Sequence, residues 1–184
     1  YKLDCSNLIC SYNGQADKDT IFSMTNHTYF NLGKENIFDL SLKVHTDKYS
    51  PNNDYKVALD EVKKVHDRFD FVEFRNINDN LKNEGIDNNY VFEDLGMNDK
   101  LMAELKSDKL HLSVYSDMPD MHLYTGHGLN TNAGKYNRTY SAFMGLCLEC
   151  QYYPNAINYD NYIKPILRKG ETMSNYIRYE LKGE

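Results

Sequence analysis

Two short segments carry the groups that could do chemistry. The first, Thr25-Asn26-His27-Thr28-Tyr29-Phe30-Asn31-Leu32, alternates as a half-buried strand would, with Phe22, Met24, Phe30 and Leu32 on one face and Ser23, Thr25, His27, Tyr29 and Asn31 on the other. That spacing aims His27 into a polar cleft. Histidine as a residue type permits acid/base work without requiring it, so this one reads either as an acid/base group or as a structural hydrogen-bonding residue. In the second segment, Gly145-Leu146-Cys147-Leu148-Glu149-Cys150-Gln151-Tyr152-Tyr153-Pro154, one carboxylate interrupts an apolar run. Read as a strand, Leu146, Leu148, Cys150 and Tyr152 share one face, and Cys147, Glu149 and Gln151 share the other. Glu149 then projects from a mostly buried strand. It is either held by a Lys or Arg partner, or kept for chemistry with a pKa moved toward neutrality by partial desolvation. Together the segments offer one acid and one base on two inner strand faces.

Composition bounds the rest. A chain of 184 residues, 41% hydrophobic and 13% aromatic, is long enough for one globular domain with a core. The 16 Tyr, the absence of Trp and the short alternating runs of Thr, Val, Ile and Phe favour strands. The net charge of −6 is dispersed, without a basic stripe, which argues against nucleic acid and for a neutral polar ligand. No stretch approaches the roughly 18 apolar residues of a membrane span. The start, Tyr1-Lys2-Leu3-Asp4-Cys5, has neither a signal-peptide pattern nor an initiator Met, so a preceding segment is expected. Four cysteines read as reduced thiols of a cytoplasmic protein. Cys147-x-x-Cys150 is a poor metal pair, because alternation sends its sulfurs to opposite faces and Cys5 and Cys10 supply no convincing second pair; no metal is expected.

The elements that must position these groups follow from periodicity. Leu3 to Tyr12 and Asp19 to Asn31 read as a hairpin joined through Asn13-Gly14. Ile37 to His45 reads as a strand, 47–54 as a loop, and Leu59 to Phe69 has helical spacing. A polar, Asn-rich loop runs on to Gly85. Strands are predicted at Tyr90 to Asp94, Leu101 to Lys106, Leu110 to Ser116, Met121 to Thr125, Phe143 to Tyr152 and Met173 to Leu181. Without repeats or linkers, this is one all-β domain over 1–184, a sandwich of antiparallel sheets.

Six segments, in order, are similar to those of the aldose 1-epimerases, or galactose mutarotases. They are Thr25 to Leu32; Phe69-Asp70-Phe71 before Arg75; Gly85-Ile86-Asp87-Asn88-Asn89-Tyr90; Ser116-Asp117-Met118-Pro119; Leu146-Cys147-Leu148-Glu149-Cys150-Gln151; and Pro165 to Thr172. The resemblance implies a galactose mutarotase-like β-sandwich and interconversion of the α and β anomers of a free aldohexose, without cofactor. By motif, His27 matches the family's general acid, Glu149 its general base, and Asp87 the carboxylate that binds sugar hydroxyls. By analogy with paired carboxylates across a sugar, His27 and Glu149 are expected about 5–8 Å apart. Three departures stand out. The family's Asp-His-Asn is Asp87-Asn88-Asn89 here, its Thr after the base is Cys150, and its Gln before Tyr-Thr-Gly lies near His122. The resemblance also implies an N-terminal portion carrying another site histidine and an arginine. The sandwich is then incomplete in this chain, strands such as Leu3 to Tyr12 lack a neighbour, and uncovered edges invite self-association. A carbohydrate-binding module that keeps the fold without turnover is the alternative. His45, His66, His111, His122 and His127 are assigned structural or surface roles.

Overall fold

The computed structural model describes residues 1–81, 84–92 and 99–183. In chain order the first strands are β1 (Lys2–Asp4), β2 (Asn7–Gln15), β3 (Thr20–Ile21), β4 (Tyr29–Phe30), β5 (Ser41–Val44), β6 (Lys48–Ser50), β7 (Lys63–Lys64) and β8 (Arg75–Asn76). A single helical turn, α1 (Ile77–Leu81), leads to β9 (Asp87–Val91), β10 (Lys100–Lys106), β11 (Leu110–Ser116) and β12 (Asp120–Tyr124). The last are β13 (Leu146–Gln151), β14 (Ile166–Leu167) and β15 (Thr172–Gly183). One sheet has the order β1-β2-β15-β11-β10-β5-β8, the second β4-β13-β12-β9-β6-β7, and β14 pairs with β3 in a small third. The described pairings are antiparallel, as expected.

Alternation explains why the two large sheets stack. Leu42 and Val44, Ala103 and Leu105, Leu112 and Val114, and Ile177 and Tyr179 turn inward from the first sheet. Tyr49, Tyr90, Met121, Leu123, Leu146, Leu148 and Cys150 turn inward from the second, and all belong to one buried cluster. Removing this apolar surface from water holds the sandwich together. The opposite face of β9, β12 and β13 is left to carry polar groups.

Several predicted elements take another form. Asn13-Gly14 is not a turn: both residues lie within β2, opposite Ser174 and Met173 of β15. Gly14 serves a close approach there, since a Cβ would stand 2.5 Å from the Phe22 ring. The turn comes earlier, between β1 and β2, where Cys5 takes a φ of 51°. β2 therefore has neighbours on both sides, and the open edge of that end is β1. The helical spacing of 59–69 yields β7 and a 3-10 turn at Asp67–Phe69. Pairing of β7 with β6, and acceptance of the Tyr153 hydroxyl by the Leu59 carbonyl, override the local pattern. The strand expected over 37–45 is confined to β5, and the loop expected over 47–54 contains β6. The Asn-rich stretch holds β8 and α1, anchored by Asn80 Nδ2 donating to the Asp70 carbonyl at 2.9 Å. Residues 82 and 83 of that expected loop, and 93 and 94 of the expected strand Tyr90 to Asp94, lie outside the described residues.

Candidate active site

Glu149 lies in the middle of β13, with Leu148 and Cys150 packed into the core on either side. The strand therefore forces its carboxylate onto the opposite face, beside Cys147 and Gln151, as the alternation predicts. β12 runs alongside in a register that sets His122 against Glu149 and Tyr124 against Cys147. β9 pairs with the other edge of β12, setting Asp87 against Tyr124 and Asn89 against His122. Three adjacent strands thus present Asp87, His122 and Glu149 on one surface.

His27 arrives differently from its prediction. Residues 22–28 are irregular, and only Tyr29 and Phe30 pair with β13. The Asn26 side chain is the cause, because its Oδ1 accepts from the Thr28 amide at 3.0 Å and closes a local turn around His27 that competes with a ladder. Thr25 Oγ1 donates to the Cys150 carbonyl at 2.7 Å and pins this turn to β13. The imidazole ends with Nε2 3.5 Å from Glu149 Oε1 and Nδ1 3.3 Å from Cys147 Sγ. The expected ring-sized gap between acid and base is absent, since the two side chains touch.

Exposure and charge differ across the pair. The His27 side chain is 53% exposed and that of Glu149 is 9% exposed. Burial pushes the Glu149 carboxyl above the ordinary glutamate range, against the pull of His27 and His122. Asp87 goes the other way: a hydrogen bond from His122 Nε2, 2.7 Å from its Oδ1, holds it below the usual carboxylate range despite partial burial. The rings of Tyr29 and Tyr124 lie 5.1 and 6.1 Å from that of His27 and wall the site, with the Tyr29 phenol pushed up to about 12 by burial. The resulting open cleft is about 530 Å³, within the usual range for small-molecule sites.

The structure brings the three sequence-predicted residues, His27, Asp87 and Glu149, to this one cleft. His45, His66 and His111 lie elsewhere, but His122 and His127 line the cleft, contrary to their assignment. The signal for His122 was present in Met121-His122-Leu123-Tyr124, where buried and polar residues alternate on β12. His127 follows Gly126, whose φ of +67° bends the chain, and packs on Gly85, where a Cβ would fall 1.9 Å from the imidazole.

The family model described as Aldose 1-epimerase matches residues 1–180. The chain is 31% identical to galactose mutarotase of Mus musculus over 93% of its own length and 53% of that protein. It is 30% identical to aldose 1-epimerase of Escherichia coli over 100% of its length and 58% of that protein. An aldose epimerase homologue from C. elegans superposes with a TM-score of 0.87 at 24% identity, over 97% of this chain and 56% of that one. A galactose 1-epimerase from Lactobacillus acidophilus gives 0.82 at 26%, over 97% and 54%. The chain spans about half the length of the curated relatives it matches. A mutarotase-like sandwich and a family match over residues 1–180 make this chain a member of the aldose 1-epimerase family.

Proposed function

We propose that the cleft interconverts the α and β anomers of a free aldohexose, galactose or glucose. The observation that carries this is the contact of His27 Nε2 with Glu149 Oε1 at 3.5 Å on an open, polar sheet face. Ionised Glu149 takes the proton of the C1 hydroxyl while protonated His27 delivers one to the ring oxygen, so the C1–O5 bond opens to the aldehyde. Rotation about C1–C2 presents the other carbonyl face. On reclosure the ring-oxygen proton returns to His27 and Glu149 returns its proton to O1, which leaves both groups as they began. Both oxygens are bonded to C1, so an acid and a base serving them need not stand a ring apart. Glu149's raised affinity for a proton suits a base that must also give the proton back. Asp87, kept ionised by His122, accepts from sugar hydroxyls.

Polarimetry of freshly dissolved α-galactose and α-glucose with the 184-residue chain tests the reading, alongside calorimetric titration with the same sugars. Mutarotation above the buffer rate, lost with Glu149→Gln, supports it. A second reading, a carbohydrate-binding module without turnover, rests on Asp87 and His122, held together at 2.7 Å on the cleft, which can bind sugar hydroxyls without proton transfer. Sugar binding without acceleration selects that module and overturns the enzyme. We place the protein in the cytoplasm, in keeping with four free thiols. Among the described residues no helix is long and apolar enough to cross a membrane. Self-association through the open edge of β1 and the exposed Leu3, Leu8 and Leu181 is the partner interaction this reading expects. A monomer by light scattering at assay concentration overturns that part.

A further inference from the structure

Cys147 is an ionisable group buried behind the wall of the cleft that proton transfer does not use. It stands two residues before Glu149 on the same face of β13, with Sγ 3.3 Å from His27 Nδ1. One donor atom from each of His27, Cys147 and Glu149 lies within 4.8 Å of the other two. A thiolate, an imidazole and a carboxylate are donors that zinc takes, and its bonds of about 2.0–2.3 Å place tetrahedral donors roughly 3.3–3.6 Å apart. The sulfur lies 3.3 Å from Nδ1 and the carboxylate oxygen 3.5 Å from Nε2, two different ring nitrogens, so binding through a single nitrogen requires the ring to turn.

We propose that His27, Cys147 and Glu149 form a binding site for a thiophilic divalent cation, zinc above all, with the fourth coordination position open to the cleft. Two of the three donors are fixed by the strand, since Cys147 and Glu149 are both buried on β13. The third can adjust. The ring of His27 now turns one nitrogen to each neighbour, and its half-exposed side chain, on an irregular segment, can rotate to aim one nitrogen between them. Cys150 is not part of the set because its side chain faces the core. Asp87 and His122 hold each other at 2.7 Å on the neighbouring strands, which leaves the fourth position to water or a ligand hydroxyl. The thiolate selects against Mg²⁺ and Ca²⁺, which prefer oxygen. On binding, the metal replaces the thiol proton, which passes to the buffer, so uptake strengthens as pH rises. Resting on the proposed function, one consequence is that the metal and the sugar exclude each other, because the cation ties up both the acid and the base.

Co²⁺ is the probe, because a tetrahedral cobalt–thiolate centre shows a near-ultraviolet charge-transfer band and strong visible absorption. Titrating the reduced 184-residue chain should develop both, saturating at one equivalent and bleaching on addition of Zn²⁺. Cys147→Ser should abolish the charge-transfer band, whereas Cys5→Ser, at the exposed thiol, should leave it unchanged. His27→Gln, at a half-exposed position that tolerates change, should weaken Co²⁺ binding by at least the about tenfold that losing even a supporting group costs. No charge-transfer band in the unmodified chain, a band that survives Cys147→Ser, or undiminished affinity in His27→Gln each overturns the proposal. Galactose added to the cobalt form separates the two readings: an intact cobalt site indifferent to sugar keeps the metal site and counts against the sugar assignment.

Discussion

Glu104 on the seven-stranded sheet and Glu149 on the six-stranded sheet are both largely buried glutamates facing histidine, and their carboxyl pKa values move in opposite directions. Glu104 Oε1 lies 2.9 Å from His45 Nε2, and its Oε2 lies 2.8 Å from His111 Nε2. Burial pushes its carboxyl up, but hydrogen bonds and charge from the two imidazoles together outweigh this and hold it below the ordinary glutamate range. Glu149 is more deeply buried and has a single imidazole at 3.5 Å, so burial wins and its carboxyl rises. Two short contacts to imidazoles lower the carboxyl pKa of one glutamate. One longer contact leaves burial the larger influence on the other carboxyl.

The largest expected effect separates the two sites by rate. Glu149→Gln should lower anomer interconversion by about 10²–10⁴-fold, the usual contribution of a positioned general base. Glu104→Gln should leave the polarimetric rate within about twofold, as expected for a group outside the reacting cleft. Comparable losses in both would erase the distinction. Next, Asp87→Asn should weaken galactose binding by about 10–100-fold with a smaller change in kcat, since a hydrogen bond to a charged group contributes about 1.5–3 kcal/mol. A fall in kcat alone, at unchanged KM, would move Asp87 from sugar binding to proton transfer.

Stability should divide the pair in the other direction. Glu104→Gln strips two imidazoles of their shared acceptor and should cost about 1–3 kcal/mol in denaturant melts at neutral pH. Because the folded pKa of Glu104 is depressed, its contribution is present above the ordinary 4.5 and is lost as pH falls through the folded value. The penalty of the substitution should fade over that acid range. The smallest effect belongs to Glu149→Gln, which should melt slightly higher than the unmodified chain at neutral pH. Its folded pKa is raised, so the stability linked to its protonated form is present below 4.5 and lost as pH rises through the folded value. The two melting curves should converge below that point. A variant less stable than the unmodified chain at neutral pH would mean that His27 more than offsets the burial of the carboxylate.

Legibility followed the strength of the two-residue period. β13 could be read with its faces correct because Leu146, Leu148 and Cys150 alternate with Cys147, Glu149 and Gln151. β11 was read to its observed ends, Leu110–Ser116, for the same reason. The segment around His27 alternates equally well, yet the Asn26 side chain supplies an acceptor that closes a turn, a competition invisible to periodicity. The place of His122 in the cleft is not legible locally, because its neighbours there, Asp87 and Glu149, come from β9 and β13 through a pairing register that its own segment does not encode. Gly14 misled because a glycine needed for contact with the Phe22 ring has the same spelling as one needed for a turn.

The register shared by β9, β12 and β13 bears on how the chain reaches its native state. His122 lies opposite both Asn89 and Glu149, with Met121 and Leu123 fully buried on the other face. A slip of one residue on β12 would turn His122 into the apolar core and Leu123 out to water, and a slip on β13 would bury Glu149 without its histidine. Misaligned pairings are therefore costly. Neutral substitutions among the polar groups lining the cleft should therefore weaken the penalty against misregister and lower the yield of correctly refolded chains.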